Sequence, residues 1–196
     1  MPKTRTELWL VRHGQTDWNV EGRYQGQADM PLNEIGVKQA RDLAERLRDV
    51  NFAAIFSSDL QRASSTARIL AGDKEVKIDP RLREIHQGEW EGQLFSVIRQ
   101  RYADYFTQRK ENSLQSRPPG GESLQEVAER VKECVDEIVH QFAGERVLIV
   151  SHGLAIATVL AAVKGYPLEK AFELIPDNAD PQIIFWPPDL NGREQR

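Results

Sequence analysis

The sequence predicts an α/β fold: a three-layer sandwich with a mostly parallel central sheet, helices on both faces and a small helical insertion. Two observations carry this. Short, wholly apolar runs rich in branched and aromatic residues recur at Leu8–Val11, Ala53–Phe56 and Val147–Val150, the pattern of strands buried on both faces. Between them lie segments with apolar residues at helical spacing, and strands that alternate with helices imply parallel pairing.

The elements follow in order. Leu8–Val11 is the first strand. Ala40, Leu43, Ala44 and Leu47 recur at i, i+3, i+4 and i+7, which predicts an amphipathic helix over Asn33–Val50. After the strand Ala53–Phe56, a second helix fits from Asp59 to Leu70 and is stopped by Gly72. Val76–Ile78 is a weaker strand. From about Trp90 to Gly121 the alternation breaks. That stretch carries Tyr102, Tyr105 and Phe106 and leaves through Pro118-Pro119-Gly120-Gly121, so it reads as a mostly helical insertion. Ser123 and Glu126 then have capping-box spacing, with Leu124, Val127, Ala128, Val131, Val135, Ile138 and Phe142 in one stripe behind them. Cys134 falls beside that stripe as a small core residue. Leu154–Val163 is a buried helix ended by Gly165, with Pro167 beyond, and Ile183–Trp186 is a last, weaker strand. The tail after Pro187 is polar and is expected to fray.

Length and composition agree with one domain over 1–196. At ~150 residues per domain, 196 residues suffice for one, and 40% hydrophobic residues suffice for a core. Twenty-six Lys+Arg against 30 Asp+Glu give a formal charge of −4, which argues against wrapping nucleic acid. No apolar run approaches the ~20 residues of a membrane helix. The polar first residues are followed by an apolar run shorter than the roughly 7 residues of a secretory signal. A cytoplasmic protein is therefore expected, with no nucleic-acid or membrane partner. The single cysteine excludes an internal disulfide and a multi-cysteine zinc site.

Ligands of open parallel sheets bind beyond the carboxyl ends of the strands. Three apolar runs end there in reactive side chains: Arg12-His13-Gly14, Ser57-Ser58-Asp59-Leu60-Gln61-Arg62 and Ser151-His152-Gly153. If those strands are parallel neighbours, two histidines and two arginines share one crevice. A phosphate monoester carries nearly two negative charges at neutral pH, and guanidinium matches its oxygens with a planar fork of donors. A neutral imidazole is a nucleophile, and a second histidine, if protonated, adds a donor to the transferring group. Helix N-termini after Gly14 and Gly153 would add backbone donors. Such a set suffices for phosphoryl transfer with no metal and no cofactor, because arginine supplies the charge that a cation otherwise brings. Glu84 follows the weak strand by a short loop. Beside a bound dianion, like charge favours a protonated carboxyl, which can then serve as general acid.

Leu10-Val11-Arg12-His13-Gly14-Gln15-Thr16, with Trp18 and Asn19 behind it, resembles the signature of the histidine phosphatase, or phosphoglycerate mutase-like, superfamily. The loop Gly22-Arg23-Tyr24-Gln25-Gly26 with Asp29, Pro31-Leu32, Gly36 and Gln39-Ala40 is similar to that family's, as are Ser57 to Ala63 with Thr66-Ala67, Gly120-Gly121-Glu122-Ser123 and Val150-Ser151-His152-Gly153. The resemblance implies His13 as the phosphorylated nucleophile. Arg12, Arg62 and His152 are then phosphoryl ligands, and Glu84 is the proton donor and later the base for water. Asn19, Gln25 and Gly26 are contacts from the first long loop. Glu84-x-x-x-Gly88-x-Trp90-Glu91-Gly92 is similar to the broad-specificity and alpha-ribazole phosphatase branch. The Tyr-Gly-Gly-Leu-like stretch of the mutases is missing, and Gln27 stands where they tend to have Trp. Asn178-Ala179-Asp180-Pro181 departs from the family, which often has a small hydroxyl residue near position 180.

The resemblance implies a metal-independent phosphatase acting on small phosphate monoesters. The alternatives are a phosphoglycerate mutase-type phosphotransferase and a non-catalytic phospho-ligand binder on the same fold. Singly, most of these residues have plainer readings: a strand-end histidine as a hydrogen-bonded structural group, Arg62 as a helix salt-bridge partner, Glu84 as a rim ion pair. It is the set that points to chemistry. His86 and His140 lack partners in the pattern and read as solvated. Trp18, Tyr24, Trp90, Tyr102, Tyr105 and Phe106 either line a substrate mouth or pack the insertion onto the core.

Overall fold

A computed structural model describes residues 5–108 and 114–188. Its centre is a five-stranded sheet of β1 (Thr6–Arg12), β2 (Ala54–Ser57), β3 (Lys77–Ile78), β4 (Arg146–Ser151) and β5 (Pro181–Trp186), in the order β3-β2-β4-β1-β5. β1 and β2 both pair with β4 in parallel, β3 pairs with β2 in parallel, and β5 lies antiparallel to β1 at the edge. The three strands predicted to end in reactive residues are therefore adjacent and point the same way.

Alternation along these strands fills two cores. Leu8, Leu10, Phe56, Val147 and Ile149 face one side, where α6 (Leu124–Gln141) and α7 (Gly153–Lys164) cover them. Val11, Ile55, Leu148 and Val150 face the other, under α2 (Glu34–Arg46) and α3 (Gln61–Ala71). α7 is buried all round from Gly153 to Ala161, as its continuous apolar sequence requires. Ser123 and Glu126 form the predicted capping box on α6, and Gly165 closes α7 in the left-handed conformation. Cys134 is buried among the α6 contacts, with its thiol pushed up to about 12 by burial.

Several boundaries move. The helix expected over Asn33–Val50 begins after Asn33, whose side chain accepts the Gly36 amide, and stops at Arg46, where Leu47 turns to pack under the sheet. The helix expected from Asp59 starts two residues later, because the Asp59 carboxylate is held by Arg83 and the Gln61 amide is capped from outside by Asp29 at 2.6 Å. Pro181 opens β5 opposite Val11, the position at a strand's start where a missing amide is tolerated. Asp180 is exposed and accepts from Gln182.

The expected insertion contributes α4 (Phe95–Arg101) and α5 (Ala103–Gln108), after α1 (Asp17–Glu21) in the first loop. Short 3-10 turns cover Pro80–Leu82, Gly88–Trp90 and Leu168–Leu174. The frayed tail expected after Pro187 lies, beyond Pro188, outside the described residues. Among the described residues no helix is long and apolar enough to cross a membrane.

Candidate active site

The strand ends meet as the topology dictates. The His13 amide bonds the Ser151 carbonyl at 3.0 Å, and the Ser58 amide bonds the Val150 carbonyl at 3.1 Å. These links zip the three segments together just past the sheet, and the His13 and His152 rings lie 5.2 Å apart between centroids. Both rings are buried, and Arg62 is buried completely.

Each ring is held by one hydrogen bond. His13 Nδ1 lies 2.7 Å from the Gly14 carbonyl. A carbonyl only accepts, so Nδ1 carries the proton and Nε2 keeps its lone pair. His152 Nε2 lies 2.9 Å from Ser58 Oγ, which also takes the Leu60 amide, and His152 Nδ1 is buried with no partner among the described residues. Burial, and then the cation of Arg62, hold both histidines well below the usual imidazole value. At neutral pH both are uncharged in the free protein, so the protonated second histidine considered from sequence is not the resting state.

The arginines are anchored by carbonyls. Arg62 donates from Nη1 to Ala28 and from Nη2 to Gly26, each at 2.7 Å, and Arg12 donates from Nη1 to Pro176 at 2.9 Å. Their Nε atoms are buried without partners among the described residues. Burial lowers Arg62 to about 10 and Arg12 by a smaller amount, with Glu84 opposing the change in both. Both stay charged at neutral pH. Burial disfavours every cation at this floor, so an arriving dianion relieves a cost already present in the free protein.

Glu84 reaches the same place from the loop after Pro80–Leu82. Its Oε2 accepts from the Leu154 amide in the first turn of α7 at 3.1 Å, and its Oε1 from the Ile85 amide at 2.9 Å. The first long loop brings Asn19, Gln25 and Gly26. Asn19 closes a capping box with Thr16, Gln25 Oε1 accepts the Thr16 hydroxyl at 2.9 Å, and Gly26 sits at φ +53° where a Cβ would strike Glu91. The backbone donor expected near Gly14 is already engaged, because the Gly14 amide bonds Thr66 Oγ1 at 3.0 Å. A Cβ on Gly14 would lie 2.4 Å from the Gly36 carbonyl, so this close crossing needs glycine.

Above the floor opens a cavity of about 900 Å³, lined by Arg12, His13, Asn19, Gln25, Gly26, Arg62 and Glu84. His152, with its ring beside that of His13, is not among the residues of this lining. Much of the wall is aromatic. Trp90 packs at 5.4 Å from Tyr24, 5.0 Å from Tyr105 and 5.4 Å from Phe106, all four rings lining the cavity, and Tyr102 supports Trp90 from 5.4 Å. Both sequence alternatives hold: these aromatics line the mouth and pack the short helices down. Trp18 takes no part in the lining. Phe95, Phe172 and Ile175 also line the wall, and sequence reading did not single them out; Arg23, Arg99 and Glu169 put charge on the same lining. Sequence reading named Ser58 at a strand end and Asn178 in the stretch that departs from the family but gave neither a role; Asn178 Nδ2 supports the His13 carbonyl at 2.8 Å. Ser58 had a usable signal, standing at the end of an apolar strand run. Asn178 had none.

At the strand ends of an α/β sheet, an uncharged imidazole thus stands beside the buried Arg62 and the partly buried Arg12, an arrangement able to hold an anion against a histidine. The chain belongs to the histidine phosphatase superfamily (branch 1), which it matches over residues 8–190. It is 38% identical over 171 residues to a probable phosphoglycerate mutase GpmB of Enterobacter sp. (strain 638), covering 82% of this chain and 76% of the relative's. Among solved structures it is similar to the alpha-ribazole phosphatase from Shigella flexneri, with TM-score 0.82, 32% identity, and 91% of this chain and 89% of that one covered. It is also similar to a mycobacterial glucosyl-3-phosphoglycerate phosphatase, with TM-score 0.81, 36% identity and 90% of each chain covered.

Proposed function

We propose that the chain is a phosphatase that hydrolyses small phosphate monoesters through a phosphohistidine on His13 and needs no metal. The observation that carries this reading is the tautomer of His13: Nδ1–H is bonded to the Gly14 carbonyl, which leaves Nε2 unprotonated near the buried Arg62 and the partly buried Arg12. In the first step Nε2 attacks phosphorus as the bond to the leaving oxygen breaks, and Glu84 gives that oxygen its proton. Arg12, Arg62 and His152 hold the equatorial oxygens. With the Leu60 amide donating into Ser58 Oγ, the serine hydroxyl hydrogen can go to His152 Nε2. His152 Nδ1 then carries a hydrogen toward the phosphoryl group. In the second step water gives its proton to Glu84 and its oxygen to phosphorus, the N–P bond breaks, and inorganic phosphate leaves. Asn19, Gln25 and Gly26 shape the phosphate end of the cavity.

A mutase would return the phosphoryl group to the bound acid and must exclude water. The wall here favours hydrolysis. A cavity of about 900 Å³, lined by aromatic rings together with Arg23, Arg99 and Glu169, exceeds what a three-carbon acid fills and suits a larger, partly apolar alcohol. The test is to incubate the protein with 3-phosphoglycerate and with a panel of phosphate esters, following isomerisation against phosphate release. Release from several esters without isomerisation, undiminished in EDTA, is expected. Isomerisation that outruns release would replace this reading with the mutase one.

A further inference from the structure

Glu84 belongs to no helix or strand, although its carboxylate accepts from the Leu154 amide at the start of α7 and from the Ile85 amide. It stands in the loop from Leu82 to Gly88, and the backbone of that loop is satisfied mainly by one side chain from α6. Arg130 Nη1 donates to the carbonyls of Arg81 at 2.8 Å and Arg83 at 2.7 Å. Nη2 donates to the carbonyl of Glu84 itself at 2.9 Å and to Glu122 Oε2 at 2.8 Å, and Nε donates to Glu122 Oε1 at 2.9 Å. All the donors a guanidinium has are engaged. Glu122 completes the clamp. Its Oε2 takes the His86 amide at 2.8 Å, and its own amide bonds the His86 carbonyl at 2.9 Å. The loop is thus gripped on both sides of position 84, while Ser151 Oγ takes the remaining carbonyl of Leu82 at 2.7 Å. Glu84 and Ile85 line the cavity and Arg130 does not.

We propose that Arg130, paired with Glu122, is a positioning residue that sets where the Glu84 carboxyl stands relative to the leaving oxygen. The proposal rests on the reading of Glu84 as proton donor. Burial alone does not account for this arrangement. A lysine would keep the charge opposite Glu122, but a point donor cannot bridge three carbonyls and a bidentate carboxylate. Fixing a general acid to within an ångström matters, since displacement by about 1 Å costs on the order of 10²-fold.

The experiment compares kcat/KM on 4-nitrophenyl phosphate, whose leaving group departs without a proton, with that on n-butyl phosphate, whose leaving group needs one. The proteins are wild type, Glu84→Gln, Arg130→Lys and Glu122→Gln, each checked for fold by circular dichroism and for its phosphoryl pocket by vanadate inhibition. Glu84→Gln is expected to lose at least about 10²-fold on butyl phosphate and far less on the nitrophenyl ester. Arg130→Lys is expected to show the same split at about 30-fold, with vanadate inhibition unchanged. Equal losses on both esters, or none, would overturn the proposal. If Arg130→Lys does not fold, Glu122→Gln is held to the same criterion. A split in Glu84→Gln without one in the clamp variants removes the positioning role alone. No split in Glu84→Gln removes the proton-donor reading, and the positioning role goes with it.

Discussion

The floor and the wall of the cavity obey different rules. The floor is made where three parallel neighbours end, and its side chains have little freedom: Arg62 and His152 are 0% exposed and His13 is 3% exposed. The wall comes from short helices and loops, and its outer rings reach solvent, with Phe95 44% and Phe172 39% exposed. The strand ends dictate the geometry of the floor, whereas ring packing and a few backbone links between loops, such as Tyr24 to Gln93 and Phe95 to Gly22, dictate that of the wall. In the mechanism proposed above, the rigid part carries the chemistry and the wall the choice of substrate, an arrangement common where loops sit on a rigid scaffold.

The sharpest way to break this division is to remove the proposed nucleophile. His13→Ala is expected to lower kcat/KM by at least about 10⁴-fold on every ester, whatever its leaving group. A loss of about tenfold, or one that varied strongly with the leaving group, would show that the floor does not carry the chemistry.

Between floor and wall stands Trp90, 2% exposed and in ring contact with Tyr24, Tyr102, Tyr105 and Phe106. Replacing it with alanine leaves a cavity under the short helices and is expected to cost about 3–5 kcal/mol of unfolding free energy in urea. Well below the denaturation midpoint, vanadate should still inhibit, because Arg12, His13 and Arg62 are placed by strand ends and by backbone carbonyls. Loss of vanadate inhibition in the folded variant would mean that floor and wall are one unit.

The floor was legible in the sequence for a physical reason. A strand buried on both faces must be an apolar run, so residues placed immediately after it, such as Arg12, His13 and His152, announce both their position and their company. Arg62 was legible because it follows a strand by a short turn. The sequence did not disclose the partners. Asn178 supports His13 from a segment 165 residues away, and Phe172 and Ile175 reach the mouth from a 3-10 turn whose sequence has no strong period. Asp59 looked like a helix start and is instead the partner of Arg83, a contact between loops that no local pattern encodes.

Titration separates the two regions as well. The floor buries two uncharged histidines, and burial holds both below the usual imidazole value. The unfolded chain binds protons first as pH falls through about 6.5, so stability is fully present above that pH and declines as pH falls below it. The slope is at most about 1.4 kcal/mol per pH unit for each histidine. Asp59, Asp79 and Glu122 are held below their usual values by arginines, so the stability they add is lost only at lower pH, below about 4.5. Urea unfolding between pH 6.5 and 5 therefore reports the histidines. Saturating vanadate should flatten the slope, since a bound anion favours the charged rings. A pH-independent midpoint across that window would contradict two neutral imidazoles.

The smallest effect probes the wall alone. Phe172 lines the cavity from the 3-10 turn Leu168–Leu174 and is partly open to solvent, so little of the fold depends on it. A substrate with an aromatic leaving group would cover part of that ring, and losing such a contact is worth about 1–2 kcal/mol. Phe172→Ala is thus expected to raise KM for 1-naphthyl phosphate about tenfold while kcat stays within about twofold, because the contact is the same in ground and transition states. Phenyl phosphate, too short to reach beyond the floor, should be affected less, and inorganic vanadate not at all. The ranking of the three ligands decides the matter. If naphthyl and phenyl esters weaken alike, Phe172 acts on the floor and the division between the two regions is wrong at this point. If the naphthyl ester alone weakens, the wall selects by apolar contact, and its residues are the ones to vary when the natural leaving group is sought.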